Sequence, residues 1–260
     1  MTIVFGQATH QGLKRADNQD ACDWFPQDNA SLASAKGQLF IVADGMGGHA
    51  GGKEASSMAV RLVREAYFAA AAGDVIDNLR FAFEIANEKI YQQARSSLEF
   101  RGMGTTCTAL VLQKDRAYLA HVGDSRAYLI TKSKITQLTE DHSKVAEMLR
   151  MGILNAEEAQ RHPERSQLYR ALGMAAATKA DFRGDLMLQP GEWFLLCTDG
   201  IAKVQKHEIK RRVLSNPPQT ACDKLIDLAN ERGGSDNSTV QIIAIKGEAG
   251  ARSWRWWRAS

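Results

Sequence analysis

The chain has 260 residues, 44% of them hydrophobic and 24% charged, with a formal net charge of +3, which permits one large domain with a well-filled core and leads us to expect no nucleic-acid partner. Its longest apolar stretch, Ala66 to Ala72, is far too short to span a bilayer, and Met1 to Arg15 lacks the apolar core of a signal peptide. Four cysteines without C-x-x-C spacing suit a reducing compartment, so a cytoplasmic protein is expected, acting as a monomer.

In chain order, a strand is predicted over 2–10, followed by R-A-D-N-Q-D (Arg15 to Asp20). The apolar run Leu39 to Ala43 predicts a buried strand over 38–43 that ends at Asp44, the first residue of D-G-M-G-G-H-A-G-G. Helices are predicted over 51–70 and 75–97, the first with Ala55, Met58, Ala59, Leu62, Val63 and Ala66 on one face and the second with Leu79, Ala82, Phe83, Ala86, Ile90 and Ala94. The glycine-rich segment before the first helix partly matches a dinucleotide fingerprint, with Glu65 about twenty residues on. Glu65 falls inside the same helical pattern, however, whereas that site needs its acid at the end of a second parallel strand. A phosphate-cradling loop fails too, since Gly52-Lys53 is followed by Glu54 and not by a hydroxyl residue.

Strands then follow over 104–112, 116–122 and 126–131, enclosing G-M-G-T-T (Gly102 to Thr106) and H-V-G-D-S-R-A-Y-L (His121 to Leu129), with Asp124 in a turn between two β-like runs. E-D-H-S (Glu140 to Ser143) leads into a polar segment with short helical patterns at 144–151 and 155–161, and R-A-L-G (Arg170 to Gly173) closes it. Strands over 183–188 and 193–198 lead to T-D-G (Thr198 to Gly200), and D-N-S-T (Asp236 to Thr239) opens the last one, 239–246. Successive strands without intervening helices indicate antiparallel sheets rather than βαβ units. Cys22, Cys107, Cys197 and Cys222 lie on or beside apolar patterns and read as small core hydrophobes.

Asp44, Asp199 and Asp236 each occupy a glycine- or asparagine-rich turn beside a core strand. One Asp-Gly pair is ordinary turn chemistry. Several acids at the ends of core strands point instead to a divalent cation, which needs anionic oxygens gathered from distant parts of a fold.

The ordered series of motifs, from Arg15 and N-Q-D to D-N-S-T, closely resembles the metal-dependent protein serine/threonine phosphatases of the 2C type, in their short bacterial branch, over residues 1 to about 247. The resemblance implies an α+β fold, a four-layer αββα sandwich of two packed antiparallel sheets flanked by helix pairs. It implies a phosphatase domain over 1–247, with a flap at about 144–170, and a separate tail over 248–260. It further implies that Asp44 bridges two Mn²⁺ or Mg²⁺ ions, that Asp199 and Asp236 hold the first, and that the backbone carbonyl of Gly45 helps hold the second. Asp20 would orient water at the metals, Arg15 would grip the substrate phosphate, and Asp124 with Asp199 would hold a weaker third ion. Lys144, Arg150, Arg161 and Arg165 of the flap are candidates for touching substrate, or form a solvated face.

The chemistry suits such a site. Phosphomonoester hydrolysis is among the slowest uncatalysed reactions, and two metals about 3.5 to 4 Å apart both make hydroxide available and clamp the phosphoryl oxygens. Oxygen-only ligands favour Mg²⁺ or Mn²⁺ over zinc. Two positions depart from the wider family. Gln19 stands where many relatives carry a metal-binding Glu, and Met46 stands where the animal branch places a His that protonates the leaving alcohol. The nearest imidazole in sequence, His49, is a candidate for that acid, with water at the metals the favoured proton donor and a helix cap or loop-orienting role the alternative for His49.

The function expected is hydrolysis of phosphoserine and phosphothreonine in proteins, reversing a bacterial Ser/Thr kinase. A catalytically weak phosphoprotein-binding module is the alternative, disfavoured by the complete set of acids. The segment A-R-S-W-R-W-W-R-A-S (Ala251 to Ser260) lies outside the resemblance. Its Arg252, Arg255 and Arg258, with no acid, equal the whole formal charge of +3, and it holds three of the five tryptophans. Such a tail suits weak contact with an anionic membrane surface or an acidic partner.

Overall fold

Alternation along the long strands dictates the architecture, because successive side chains point to opposite faces and here both faces are apolar. The computed structural model describes residues 1–247 apart from 27–28, 48 and 72, and, within helices, apart from the side chains at 49, 50, 156 and 160. The elements run β1 (Thr2–His10), β2 (Asp20–Phe25), α1 (Ala30–Lys36), β3 (Gln38–Met46), α2 (His49–Ala69) and α3 (Val75–Ala94). Then come β4 (Gly104–Thr105), β5 (Cys107–Gln113), β6 (Arg116–Val122), β7 (Arg126–Ile130), β8 (Ile135–Gln137), α4 (Lys144–Arg150) and α5 (Ala156–Arg161). The chain continues through β9 (Asp181–Met187), β10 (Trp193–Cys197), a 3₁₀ turn (Asp199–Ile201), α6 (Lys206–Leu214), α7 (Pro218–Glu231) and β11 (Ser238–Lys246).

The strands form two antiparallel sheets, β1-β11-β10-β7-β8 and β2-β3-β5-β6-β9, with β4 added to β3. In β3, Leu39, Ile41 and Ala43 pack with α2 and α3, whereas Phe40 and Val42 enter the core between the sheets. In β10, Trp193, Leu195 and Cys197 meet the α6–α7 side, whereas Phe194 and Leu196 face the opposite sheet. Three apolar layers therefore hold four structural layers together, which is the αββα sandwich expected. Each fully buried Leu, Ile or Phe contributes about 1.5 to 3 kcal/mol relative to exposure.

The predicted strand 104–112 is interrupted at Thr106, whose hydroxyl serves Asp44 as described below. β2 had no sequence expectation; its six residues are all only partly buried at a sheet edge, so alternation is weak. Nor did α6 and α7. For α7 the signal was present: Pro217 and Pro218 start it, and Ala221, Cys222, Leu225, Ile226 and Ala229 recur at helical spacing along its buried face. Between β6 and β7 the chain passes from one sheet to the other, so the turn carrying Asp124 is a crossing between sheets and not a hairpin.

Candidate active site

Strand register brings the acids together. Asp20, first residue of β2, pairs directly across from Asp44 near the end of β3. On the other sheet Cys197 pairs with Arg126, and just past that paired end Asp199 and Asp124 both line the cleft. Asp236 precedes β11, which lies on the other side of β10. All these strand ends open on one cleft of about 340 Å³ whose lining includes Arg15, Gln19, Asp44, Gly45, Asp124, Asp199 and Asp236. The cleft sits where the ends of the two packed sheets meet.

Withdrawal from water is the main force on these carboxyls. It raises Asp20 to about 7 and Asp199 to about 6, with the neighbouring acids adding repulsion. Burial, reinforced by the surrounding carboxylates, also pushes Asp44 and Asp124 well above the usual range. The Asp44 and Asp199 carboxyls are close enough for each to influence the other's protonation. Asp20 Oδ1 and Asp199 Oδ1 are buried with no hydrogen-bond partner. The nearby Arg126 is spent on Asp141, which it grips through Nε at 3.0 Å and Nη2 at 2.6 Å.

This donor set fits hard divalent cations: oxygen only, excess negative charge, and orphaned buried carboxylate oxygens on Asp20 and Asp199. Among the described residues no three His, Cys, Asp or Glu side chains close a metal cage unaided. Mg²⁺-like ions keep several waters and are held by one or two carboxylates plus substrate oxygens. Thiol chemistry is not offered, because burial pushes the Cys22 and Cys197 thiols up to about 12.

A pH dependence follows. With pKa values raised to about 6 and 7, the folded chain keeps protons that unfolded aspartates, with a pKa of about 3.9, release. The associated stability is present below pH about 4 and is lost as pH rises through the folded values. A cation competes with those protons. Added Mn²⁺ is therefore expected to raise Tm more at pH about 7.5 than at pH about 5, and equal shifts in thermal scans would place the bound ion elsewhere.

Arg15 donates from Nη2 to Asp236 Oδ2 at 2.6 Å, and its side chain is half-exposed at the rim. Aspartate 236 and the arginine thus share a charge-assisted bond, while the other guanidinium donors stay available for an anion. Gln19 lines the cleft beside Gly45, whose N–H donates to the Gln19 carbonyl at 3.1 Å. Met46 follows in the cleft wall. The His49 backbone starts α2, but its side chain lies outside the described residues, as does the whole 248–260 tail.

The side chains that hold these groups escaped sequence reasoning as separate roles. Asp20 Oδ2 accepts from Thr198 Oγ1 at 2.8 Å and Thr239 Oγ1 at 2.7 Å, pinning one sheet to the other. Asn237 accepts the Gln19 N–H at 2.9 Å and donates to the carbonyls of Gln11 at 2.8 Å and Asp17 at 2.9 Å, clamping the loop that carries Arg15. Asp44 N donates to Thr106 Oγ1 at 2.9 Å and its carbonyl accepts from Thr105 Oγ1 at 2.8 Å. Their signal was membership of the motifs C-T-D-G, D-N-S-T and G-M-G-T-T.

The turn of Asp124 has its own clamp. His142 N donates to the Gly123 carbonyl at 2.8 Å, and Gly123 N donates to His142 Nδ1 at 3.1 Å. Burial lowers the His142 pKa and keeps the ring neutral, so Nε2 carries the proton and donates to Asp181 Oδ2 at 3.0 Å. Arg170 holds the other oxygen of Asp181 at 3.1 Å, tying the exit of the 144–170 segment to the Asp124 turn. Lys144, Arg150 and Arg161 of that segment pair with Glu164, Glu140 and Glu157.

The family described as Protein phosphatase 2C matches residues 10–232. The chain is 37% identical over 225 residues to serine/threonine phosphatase stp of Listeria welshimeri, covering 84% of this chain and 89% of that one. It is 36% identical over 246 residues to protein phosphatase PhpP of Streptococcus pneumoniae, covering 92% and 96%. Among solved structures, the serine/threonine phosphatase PstP/Ppp of Mycobacterium tuberculosis matches with a TM-score of 0.83 and 30% identity over 95% of this chain and 100% of that one. The catalytic domain of PstP in complex with two manganese ions matches at a TM-score of 0.80 and 30% identity, with the same coverage.

Proposed function

This chain belongs to the protein phosphatase 2C family, and from that premise we propose that it hydrolyses phosphoserine and phosphothreonine in proteins at the Asp44 cleft. The observation that supports this most is the gathering of Asp20, Asp124, Asp199 and Asp236 about Asp44 at one cleft, where the Arg15 guanidinium donates to Asp236. A binding module would gain nothing from burying so much uncompensated negative charge.

Asp44 is assigned the shared position, Asp199 and Asp236 one cation, and the Gly45 carbonyl with water the other. Asp124 and Asp199 are assigned a third, weaker site. When bound, paired Mn²⁺ or Mg²⁺ ions supply hydroxide near neutral pH and neutralise phosphoryl charge. The protein does the rest. Asp20, fixed through Oδ2, offers its unpartnered Oδ1 to orient the attacking water. Arg15 keeps donors for the phosphoryl oxygens beyond the one given to Asp236, and Asn237 holds its loop in place. Met46 follows Gly45 in the cleft wall, and water is assigned the protonation of the leaving alcohol.

The test is manganese-dependent phosphate release from phosphothreonine peptides. Arg15→Ala is expected to raise KM about tenfold with a smaller change in kcat, and Asp124→Ala to lower turnover while calorimetry still counts two bound cations. No release at saturating Mn²⁺, or loss of the core pair in the Asp124 variant, overturns the respective assignment.

We assign the physiological role to reversal of a Ser/Thr kinase's work, which phosphoproteomics of a deletion strain tests by accumulation of phosphoserine and phosphothreonine. The Trp/Arg tail is assigned weak contact with an anionic surface, each arginine near such lipid contributing about 1 kcal/mol. Truncation after Gly250 is expected to abolish co-sedimentation with anionic vesicles at low salt and leave small-substrate turnover intact. If the full-length chain does not co-sediment, that role is withdrawn. Among the described residues no helix is long and apolar enough to cross a membrane.

A further inference from the structure

Beside the cleft lies a second, larger groove of about 760 Å³, whose lining includes Met46, Tyr91, Arg95, Leu98, Arg101 and Met174. Met46 lines both, one residue after Gly45, so the groove adjoins the site where phosphate would sit. It is formed where the end of α3 and the 95–103 connection meet Gly173 and Met174 at the exit of the flap.

Two properties of its surface select an occupant. Leu98 is 78% exposed and Met174 47% exposed, so two apolar side chains of the lining stand open to an incoming apolar group. Methionine side chains are flexible and polarisable, and they adapt to varied apolar partners. On the same surface stand Arg95 and Arg101, both exposed. Among the described residues neither pairs with a carboxylate: Arg95 lies over the Tyr91 ring at 5.6 Å and donates to its hydroxyl at 3.4 Å. Glu99 lies between the two arginines in sequence but is not part of the lining.

Resting on the phosphatase reading above, we propose that this groove docks the substrate polypeptide next to the phosphorylated residue, favouring segments that combine an apolar side chain with acidic ones. An extended peptide advances about 3.3 Å per residue, so a groove entered past Met46 receives residues within a few positions of the phosphate. The apolar side chain meets Leu98 and the methionines, and the carboxylates meet the two guanidinium groups.

The experiment compares the full chain on p-nitrophenyl phosphate and on phosphothreonine peptides flanked by Leu with Asp or Glu, by Ala, or by Lys. The acidic, Leu-containing peptide is expected to exceed the Ala-flanked one in kcat/KM by about tenfold, mainly through KM, and the advantage should shrink at high salt. The double variant Arg95→Glu, Arg101→Glu should lose or invert the preference while p-nitrophenyl phosphate turnover stays within about twofold of the parent. Leu98→Ser should weaken only the Leu-containing peptides. Equal kcat/KM for all flanks, a preference that survives the double variant, or a groove found by sedimentation to join two copies of the chain each overturns the proposal. Absence of manganese-dependent hydrolysis of every substrate would instead remove the phosphatase reading on which it rests.

Discussion

Asp44→Asn is expected to lower turnover by at least about a thousandfold, because the change removes charge from the one position shared by both proposed cations. The backbone there is held independently of the carboxylate, by Thr106 Oγ1 on the amide and Thr105 Oγ1 on the carbonyl, so the fold should survive. Removing a charge that Asp20, Asp199, Asp124 and Asp236 all repel should leave the metal-free variant at least as stable as the parent. The stabilisation by Mn²⁺ should disappear. Thermal scans with and without Mn²⁺ and turnover on a phosphopeptide separate these outcomes, and near-normal activity at saturating Mn²⁺ would sink the two-cation assignment.

Gly45→Ala is expected to damage both stability and activity, for a steric reason. A Cβ at Gly45 would lie 2.7 Å from the Gln19 carbonyl and closer still to the Gly52 carbonyl, and both are backbone atoms. Relief requires the end of β3 to move away from the start of α2 and from the strand-entry loop at Gln19. Overpacking of this kind costs about 1 to 3 kcal/mol, which lowers Tm by about 3 to 10 °C for a domain of this size. Asp44 moves with it, and a displacement of about 1 Å in a catalytic group can cost about a hundredfold in rate. Gly73→Ala is the control, since a Cβ there meets nothing closer than 3.7 Å and should change neither quantity. A Gly45→Ala variant with parental Tm and turnover would show that the approach of β3 to α2 is not tight in solution.

Some of the site was legible in the sequence because its signals are local. An apolar run ending in Asp-Gly is readable from a handful of neighbours, and Asp44 and Asp199 announced themselves that way. The continuous apolar runs of β3 and β10 likewise showed buried strands, although they did not say that their two faces enter different cores. The pins of Asp20 were beyond such reading, since Thr198 and Thr239 stand 178 and 219 residues away. The same holds for Asn237, whose partners lie at the other end of the chain. The flap arginines show the converse: their charge was visible, but only geometry revealed that Arg150 and Arg161 are already paired with glutamates.

By itself the sequence determined which residues prefer turns, which faces are apolar, and which acids end core strands, because those properties depend on neighbours within a turn or two of chain. The tertiary structure alone decided that Asp20 faces Asp44 across one sheet, that Asp199 and Asp124 line the same cleft beyond the paired ends of β10 and β7, and that the Asp124 turn links the two sheets. Side-chain periodicity specifies a face but not a partner strand, so register and convergence are set by the packing of the three cores.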